Sequence, residues 1–218
     1  MKTECLRGLK NGRNGQMKLF RCLKLAGILF VMAFLASGCA LTKDYVVLSY
    51  DAQTNVEKIK GADAVKVRVE FSDLRTVKDK VSCKKNGYGM EMAPIIARND
   101  AAETVKNAIE TELKNRGFIL AEGSVSVLAE LNKYYNDFKI GFWSARAVAE
   151  LVMNVQVKNP DYSIIFSRMI AGESTISNLQ LASGKNAKIA LDGALKDALS
   201  KLFDDPSFID SIFKASKN

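Results

Sequence analysis

"ARAVAELVMNVQV", residues 145–157, is the stretch whose reading decides how this chain folds. Ala145, Ala147, Ala149, Leu151, Met153, Val155 and Val157 occupy every second position, and Arg146, Glu150, Asn154 and Gln156 fall between them. A period of two belongs to an extended strand, whose successive side chains point to opposite sides of a sheet. One side of this strand is apolar and the other is mixed and wet, as in a sheet that packs on a core through one face. The turn residues Asn159, Pro160 and Asp161 follow, and then an Ile- and Phe-rich run over 163–177. The spacing predicts a long antiparallel hairpin.

The same alternation appears upstream in Val125, Val127, Ala129 and Leu131, and in Val65, Val67, Val69 and Phe71. Elsewhere the apolar positions recur every three or four residues. Ala101, Val105, Ala108, Ile109 and Leu113 predict an amphipathic helix over 100–116. Asp100 and Glu103 have the spacing of a capping box, and Gly117 is placed to end the helix in a left-handed conformation. Ala187, Leu191, Ala194, Leu195, Ala198, Leu199 and Leu202 predict a second helix over 186–203. Asp205 and Pro206 restart a short last helix carrying Phe208, Ile209, Ile212 and Phe213. Residues 77–97 form a long Lys-rich connection able to hold an irregular strand, and "YVVLSY", residues 45–50, belongs to a tether that includes a candidate edge strand. The expected fold is α+β: a two-layer sandwich in which a mixed or antiparallel sheet of about four to five strands is covered on one face by two helices, plus a short C-terminal helix.

The N-terminus has a separate logic. Residues 25–36 are an apolar run of about a dozen, whereas a bilayer-spanning helix needs on the order of 20. Lys2, Arg7, Lys10, Arg13, Lys18, Arg21 and Lys24 precede or open it against the single acid Glu4, and the small residues Ser37 and Gly38 close it. These are the parts of a secretory signal. Leu35-Ala36-Ser37-Gly38-Cys39 resembles the bacterial lipobox, although Ala36 stands where the commonest form has Leu. The resemblance implies cleavage between Gly38 and Cys39 and a diacylglycerol on the Cys39 sulfur. Met17 begins a second complete signal, so either Met1 or Met17 can be the start. The expected division is a signal peptide over 1–38, a lipidated tether over 39–61 and a periplasmic α+β domain over 62–218. Ala40 follows the cysteine where an Asp would favour retention in the inner membrane, and this implies an outer-membrane, periplasm-facing address.

That division also reassigns charge and sulfur. The formal net charge is +8, and the seven basic residues and one acid of the leader account for six of those units. About two remain, so the leader supplies most of the basic balance and nucleic acid is not an expected partner. Of Cys5, Cys22, Cys39 and Cys83, only Cys83 would remain as a thiol, which excludes an intramolecular disulfide in the mature chain. Cys83 reads as a small buried filler, or, beside Lys84 and Lys85, as a reactive thiol.

The lipobox, Asp73-x-Arg75 after the first strand, "RGF" at 116–118 and "DDPSFIDSIFKAS" at 204–216 together resemble the YajG family of bacterial lipoproteins. The likeness spans residues 65–216. It implies an envelope lipoprotein and brings no reaction with it.

The chain has no histidine, which removes Ser-His-Asp, Cys-His and His-metal arrangements together. "NGYGM", residues 86–90, lacks the ending of a phosphate-cradling loop and reads as a turn. Asp73, Glu91, Glu130, Asp137 and Glu150 are the carboxylates to weigh for glycoside cleavage, which needs two of them across a cleft. Asp73 and Arg75 fall on the same face of a strand, where an exposed ion pair contributes ~0–1 kcal/mol. Tyr134, Tyr135, Phe138, Phe142 and Trp143 lie between two strands in an expected hairpin loop, where they either meet a partner or membrane interface or fold back over a core edge. No catalytic residue, cofactor or metal is expected. The sequence points to a lipid-anchored binding or scaffolding domain held to the membrane through Cys39 and meeting an envelope partner. Two alternatives stand beside it. An auxiliary lipoprotein of a lipid or ABC-type transport system would need a deep apolar groove between helices and sheet, and a carboxylate-dependent envelope hydrolase would need paired acids in a pocket.

Overall fold

A computed structural model describes residues 41–217 of the chain apart from Ser124. Gly38 and Cys39, and with them the lipobox, lie outside the described residues. In chain order the elements are β1 (Asp44–Val46), β2 (Lys66–Asp73), β3 (Ser82–Lys85), β4 (Glu91–Ala97), α1 (Ala101–Asn115), β5 (Ile119–Leu120), β6 (Val125–Ile140), β7 (Ala145–Lys158), β8 (Ile164–Leu179), α2 (Gly184–Phe203) and α3 (Pro206–Ser216).

The alternating stretch forms β7, the middle strand of an antiparallel meander. It pairs with β8 from Ala145↔Leu179 to Lys158↔Ile164 and with β6 from Ser126↔Lys158 to Ile140↔Ala145. Ala147, Ala149, Leu151, Met153, Val155 and Val157 are fully buried under the helices. The sheet has eight strands among the described residues, where about four to five were expected. Three of the added strands, β1, β3 and β5, have three, four and two residues, too few to display a period; β1 overlaps the candidate edge strand and β3 falls in the connection expected to hold an irregular one. The fourth, β4, contains Pro94, which sits one residue before the pairing with β1 begins at Asp44↔Ile95. At that point β4 has its ladder partner on the β3 side, so the missing N–H of proline costs little.

The other side of β6 has two neighbours in succession. Parallel β2 runs beside its first half from Val67↔Val125 to Asp73↔Leu131, with β5 beyond it. A bulge between Leu131 and Lys133 ends that ladder, and β3 then joins at Ser82↔Asn136, carrying β4 and β1 outward. The last bond of the first branch runs from Leu74 N–H to Leu131 O (2.9 Å), and the first of the second from Asn136 N–H to Val81 O (2.9 Å). The sheet therefore splits at the bulge.

The helices lie on the apolar face. Asp100 caps α1 by accepting from the N–H groups of Ala102 (2.7 Å) and Glu103 (3.2 Å). Gly117 ends it at φ +96°, with Phe118 N–H returning to Leu113 O (3.1 Å). Along α2, Ala187, Ala190, Leu191, Ala194, Leu195 and Ala198 are completely buried. Their small size lets the helix backbone approach β8 so closely that a Cβ on Gly172 would lie 2.2 Å from Ala194 O. The same helix protects the outer edge of the sheet: the Asp197 carboxylate accepts from Glu173 N–H (2.9 Å) and Lys201 Nζ donates to Ala171 O (2.9 Å). Edge groups occupied in this way cannot template another strand. Phe208 of α3 closes the core between Phe166 (5.6 Å between centroids) and Phe203 (5.4 Å).

Candidate functional site

The split in the sheet opens a cleft of about 460 Å³, walled by the segment that leaves β2 (Arg75, Thr76, Val77, Lys80), by Glu91 of β4 and by the bulged part of β6 (Asn132 to Tyr135). Bulges re-aim side chains, and strand order that branches leaves a crevice no ladder can fill. The local sequence and the topology together produce the site.

Arg75 forms its floor. Its Nε donates to Asp73 Oδ1 (2.9 Å) and its Nη2 to Asp73 Oδ2 (2.9 Å), while its own backbone N–H also reaches Asp73 Oδ1 (3.1 Å). The expected exposed pair is instead a two-pronged pair at the sheet junction, with Arg75 only 6% exposed. Arg75 lies beyond the last residue of β2, so strand spacing could not place it. Burial makes this geometry matter, because such a fork holds a carboxylate far more firmly than a solvated pair does. Hydrogen bonds from Arg75 hold the Asp73 carboxyl below the usual carboxylate range, against the opposing effect of burial.

A carboxylate whose folded value is lowered stabilises above its unfolded pKa, and this contribution disappears as pH falls through the folded value. Asp73→Asn should therefore destabilise the domain at about pH 7 and cost progressively less below about pH 4. Urea unfolding of both proteins across that range checks it.

Arg75 has a third nitrogen. Its Nη1 is buried without a hydrogen-bond partner among the described residues, and so is Tyr134 Oη, on a ring only 1% exposed in the same wall. At the rim Lys80 pairs with Glu91 (3.0 Å), and Lys133 pairs with Glu150. Arg75 thus brings a buried, unsatisfied nitrogen to the lining of a cleft whose rim charges are paired. A second cleft of about 420 Å³, lined by Asp73, Lys78, Asp79, Arg98 and Asp100 among others, lies on the other side of Arg75.

The five aromatics singled out from sequence do not share one loop. Tyr134, Tyr135 and Phe138 lie within β6; Tyr134 and Phe138 are buried on the helix face and Tyr135 is half-buried. Bulging after Leu131 lets the β ladder continue to Ile140, which absorbs residues read as a loop. Phe142 (90% exposed) and Trp143 (86% exposed) remain at the β6–β7 turn, stacked edge to face at 4.8 Å. Cys83 is buried, with Sγ donating to Ala93 O (3.3 Å), and burial pushes its thiol up. The flanking lysines are committed elsewhere, Lys84 to Asp44 (2.8 Å) and Lys85 to Asp137 (2.5 Å). This arrangement fits the filler reading of Cys83.

Each carboxylate weighed for hydrolysis has a partner: Asp73 with Arg75, Glu91 with Lys80, Glu130 with Asn154 (3.1 Å), Asp137 with Lys85 and Lys139, Glu150 with Lys133. A hydrogen bond from Lys80 holds Glu91 below its usual range. Burial alone would raise Asp137, but the bonds from Lys139 and Lys85 outweigh it. Among the described residues no group of three or more acids and cysteines is placed to hold a metal ion, and no helix is long and apolar enough to cross a membrane. Sequence reasoning found Asp73 and Arg75 as a pair but missed Lys80 and Tyr134 Oη as parts of one site. Sheet branching brings them together across more than fifty residues, and no local spacing signals it.

A layered α+β domain behind a lipobox-like leader is the architecture of a lipoprotein. The chain belongs to a family of uncharacterised lipoproteins, whose model matches residues 52–212. A protein from Xanthomonas campestris shows the same fold at 12% identity, with a TM-score of 0.53 over 81% of this chain and 100% of that one. A minor lipoprotein from Acinetobacter baumannii is 10% identical over 60% of this chain and 84% of its own, at a TM-score of 0.37. No curated protein matches the chain.

Proposed function

We propose that the protein is a YajG-type lipoprotein, anchored in the outer membrane through Cys39 and facing the periplasm, whose domain binds an envelope partner at the cleft where the sheet splits. The observation that supports this reading most strongly is Arg75: its guanidinium is fixed by Asp73 through two nitrogens, and its buried Nη1 is left without an acceptor among the described residues. A buried donor without a partner costs about 1–3 kcal/mol. An acceptor oxygen brought by the partner, from a carboxylate or phosphate, would remove that cost at a preorganised fork. The role is non-enzymatic. Glycoside cleavage by paired acids needs one carboxyl kept protonated by a raised pKa, and Asp73, Glu91 and Asp137 are all displaced downward.

The transport-auxiliary reading has less support. It calls for an apolar groove between helices and sheet, whereas the apolar stripe of α2 is completely buried and its backbone approaches β8 too closely at Gly172 to admit a Cβ.

Photo-crosslinking in cells from position 77, at the cleft wall, tests the proposal. The full-length protein should give a discrete crosslinked species that weakens sharply in Arg75→Lys, which keeps the charge and loses the fork, and that Cys39→Ser removes by detaching the domain from its membrane. An unfolding curve of Arg75→Lys separates loss of binding from loss of fold. A crosslink pattern unchanged in Arg75→Lys, or absent from the wild type, overturns it.

A further inference from the structure

The strand directions place several exposed side chains at one end of the sheet. Strand β6 runs toward its turn with β7, β3 runs parallel to β6, and β8 runs the same way antiparallel to β7. The β3–β4 turn, the β6–β7 turn and the connection from β8 to α2 are therefore at the same end. Tyr88 (91% exposed) and Met90 occupy the first, Phe142 and Trp143 the second, and the exposed Leu181 the third. The opposite end, at the β7–β8 turn, exposes a single aromatic ring, Tyr162.

Cations flank the aromatic turns. The three connections, residues 86–90, 141–144 and 180–183, contain no charged residue, and the elements that flank them bring Lys85, Lys139, Arg146 and Lys185 together with the acids Glu91 and Asp137. Lys85 and Lys139 share Asp137, and Glu91, level with Lys85, is paired with Lys80. The far end carries Glu122, Asp161, Asp204 and Asp205 together with Lys66 and Lys158, and there Glu122 pairs with Arg68 and Asp205 with Arg168.

The direction of β1 completes the picture. It is parallel to β4, which runs away from this end, so the chain comes into β1 from the side of the aromatic turns. Asp44 is level with Ile95, Ser82 and Asn136. From Asn136 the strand β6 needs four more residues, about 13 Å, to reach Ile140 and then its turn. From Cys39 to Asp44 is five residues, a reach of at most about 18 Å. The reach of this tether is thus comparable with the distance from the level of Asp44 to the aromatic turns.

We infer that these turns form a second, non-covalent membrane contact: Tyr88, Met90, Phe142 and Trp143 enter the interfacial layer of the bilayer that holds the Cys39 lipid, and Lys139, Arg146 and Lys185 face its anionic headgroups. The inference rests on the lipidation reading. Aromatic rings with basic neighbours suit the headgroup region, where the ring is partly buried and the cation stays wet. The short tether makes the lipid and the turns act on one surface, and the domain stands upright with its β7–β8 turn away from the membrane.

Trp143 is the single tryptophan of the chain and reports directly. The full-length lipidated protein is reconstituted into vesicles of phosphatidylethanolamine and phosphatidylglycerol, with or without brominated acyl chains. Trp143 emission should shift to the blue and lose intensity with the brominated lipids, and less so when phosphatidylglycerol is replaced by phosphatidylcholine. In Trp143→Phe/Tyr162→Trp the reporter sits at the far end, and its emission should remain that of a ring in water. Flotation with the vesicles, lost in Cys39→Ser, is scored separately. Protein that fails to float overturns the anchor and the inference together. Protein that floats while Trp143 stays unquenched, or while position 162 is quenched equally, overturns the inference and leaves the anchor standing.

Discussion

Replacing Arg116 by methionine is expected to destabilise the domain by about 3–5 kcal/mol, the usual result of stripping one partner from a buried ion pair. Glu112 is completely buried in α1, and Arg116, one turn later, is 6% exposed. The Glu112 carboxylate also accepts from Tyr50 Oη (2.7 Å) and from the backbone N–H of Gln53 (2.9 Å), while Arg116 Nη2 donates to Gln53 Oε1 (2.5 Å). The guanidinium lies over the Phe203 ring at 4.3 Å. One ion pair thus ties the segment after β1 to α1 and to the end of α2, and both burial and the hydrogen bond to Glu112 push the Tyr50 phenol up. Without Arg116 the carboxylate stays buried and uncompensated. The double variant Glu112→Gln/Arg116→Met should recover much of the loss, because it removes the orphaned charge and keeps an acceptor for Tyr50 and Gln53. Urea midpoints for the single and double variants measure the coupling, and strictly additive losses would show that the pair is not a unit.

Gly172→Ala should cost about 3 kcal/mol or more, the upper range for overpacking, because the obstacle is backbone. The added methyl would meet Ala194 O at 2.2 Å and Ala198 N at 2.5 Å, and neither can move unless α2 lifts from β8. Gly193, whose Cβ would meet Ser174 Oγ at 2.5 Å and Ser174 Cβ at 2.9 Å, marks the same contact from the helix side; the hydroxyl can rotate away, and a small shift relieves the Cβ contact, whereas Gly172 faces backbone at 2.2 Å. Gly193→Ala should therefore be clearly milder. The comparison is made by denaturant unfolding of both variants; equal losses would show that the helix–sheet spacing is less rigid than these distances require. Lifting α2 would also free Asp197 and Lys201 from the β8 edge, so Gly172→Ala should aggregate more readily on heating.

The legibility of the fold followed the length of each element. Strands β6, β7 and β8 and helices α1 and α2 each run for fourteen residues or more, long enough for a period of two or 3.6 to stand above chance. Asp100, Gly117 and Pro206 mark helix ends with side-chain or backbone chemistry that acts within a few residues, and each is found where the residue type requires. Strand β5 was invisible, and β1 and β3 were legible only as a candidate edge strand and an irregular strand, because so few residues carry no period and all three are held by pairing partners distant in sequence.

The sequence by itself determined the layered α+β architecture, the helix ends, and the absence of histidine chemistry, since each depends on residue type and local spacing. Only the tertiary structure decided where polar and aromatic groups point. The bulge after Leu131 turned a supposed aromatic loop into strand, burying Tyr134 and Phe138 and leaving Phe142 and Trp143 outside. The branching of the sheet put Arg75, Lys80, Glu91 and Tyr134 around one cleft. These outcomes come from non-local pairing, in which a shift of one residue reverses every side chain beyond it, and no alternation of residues can announce where such a shift will fall.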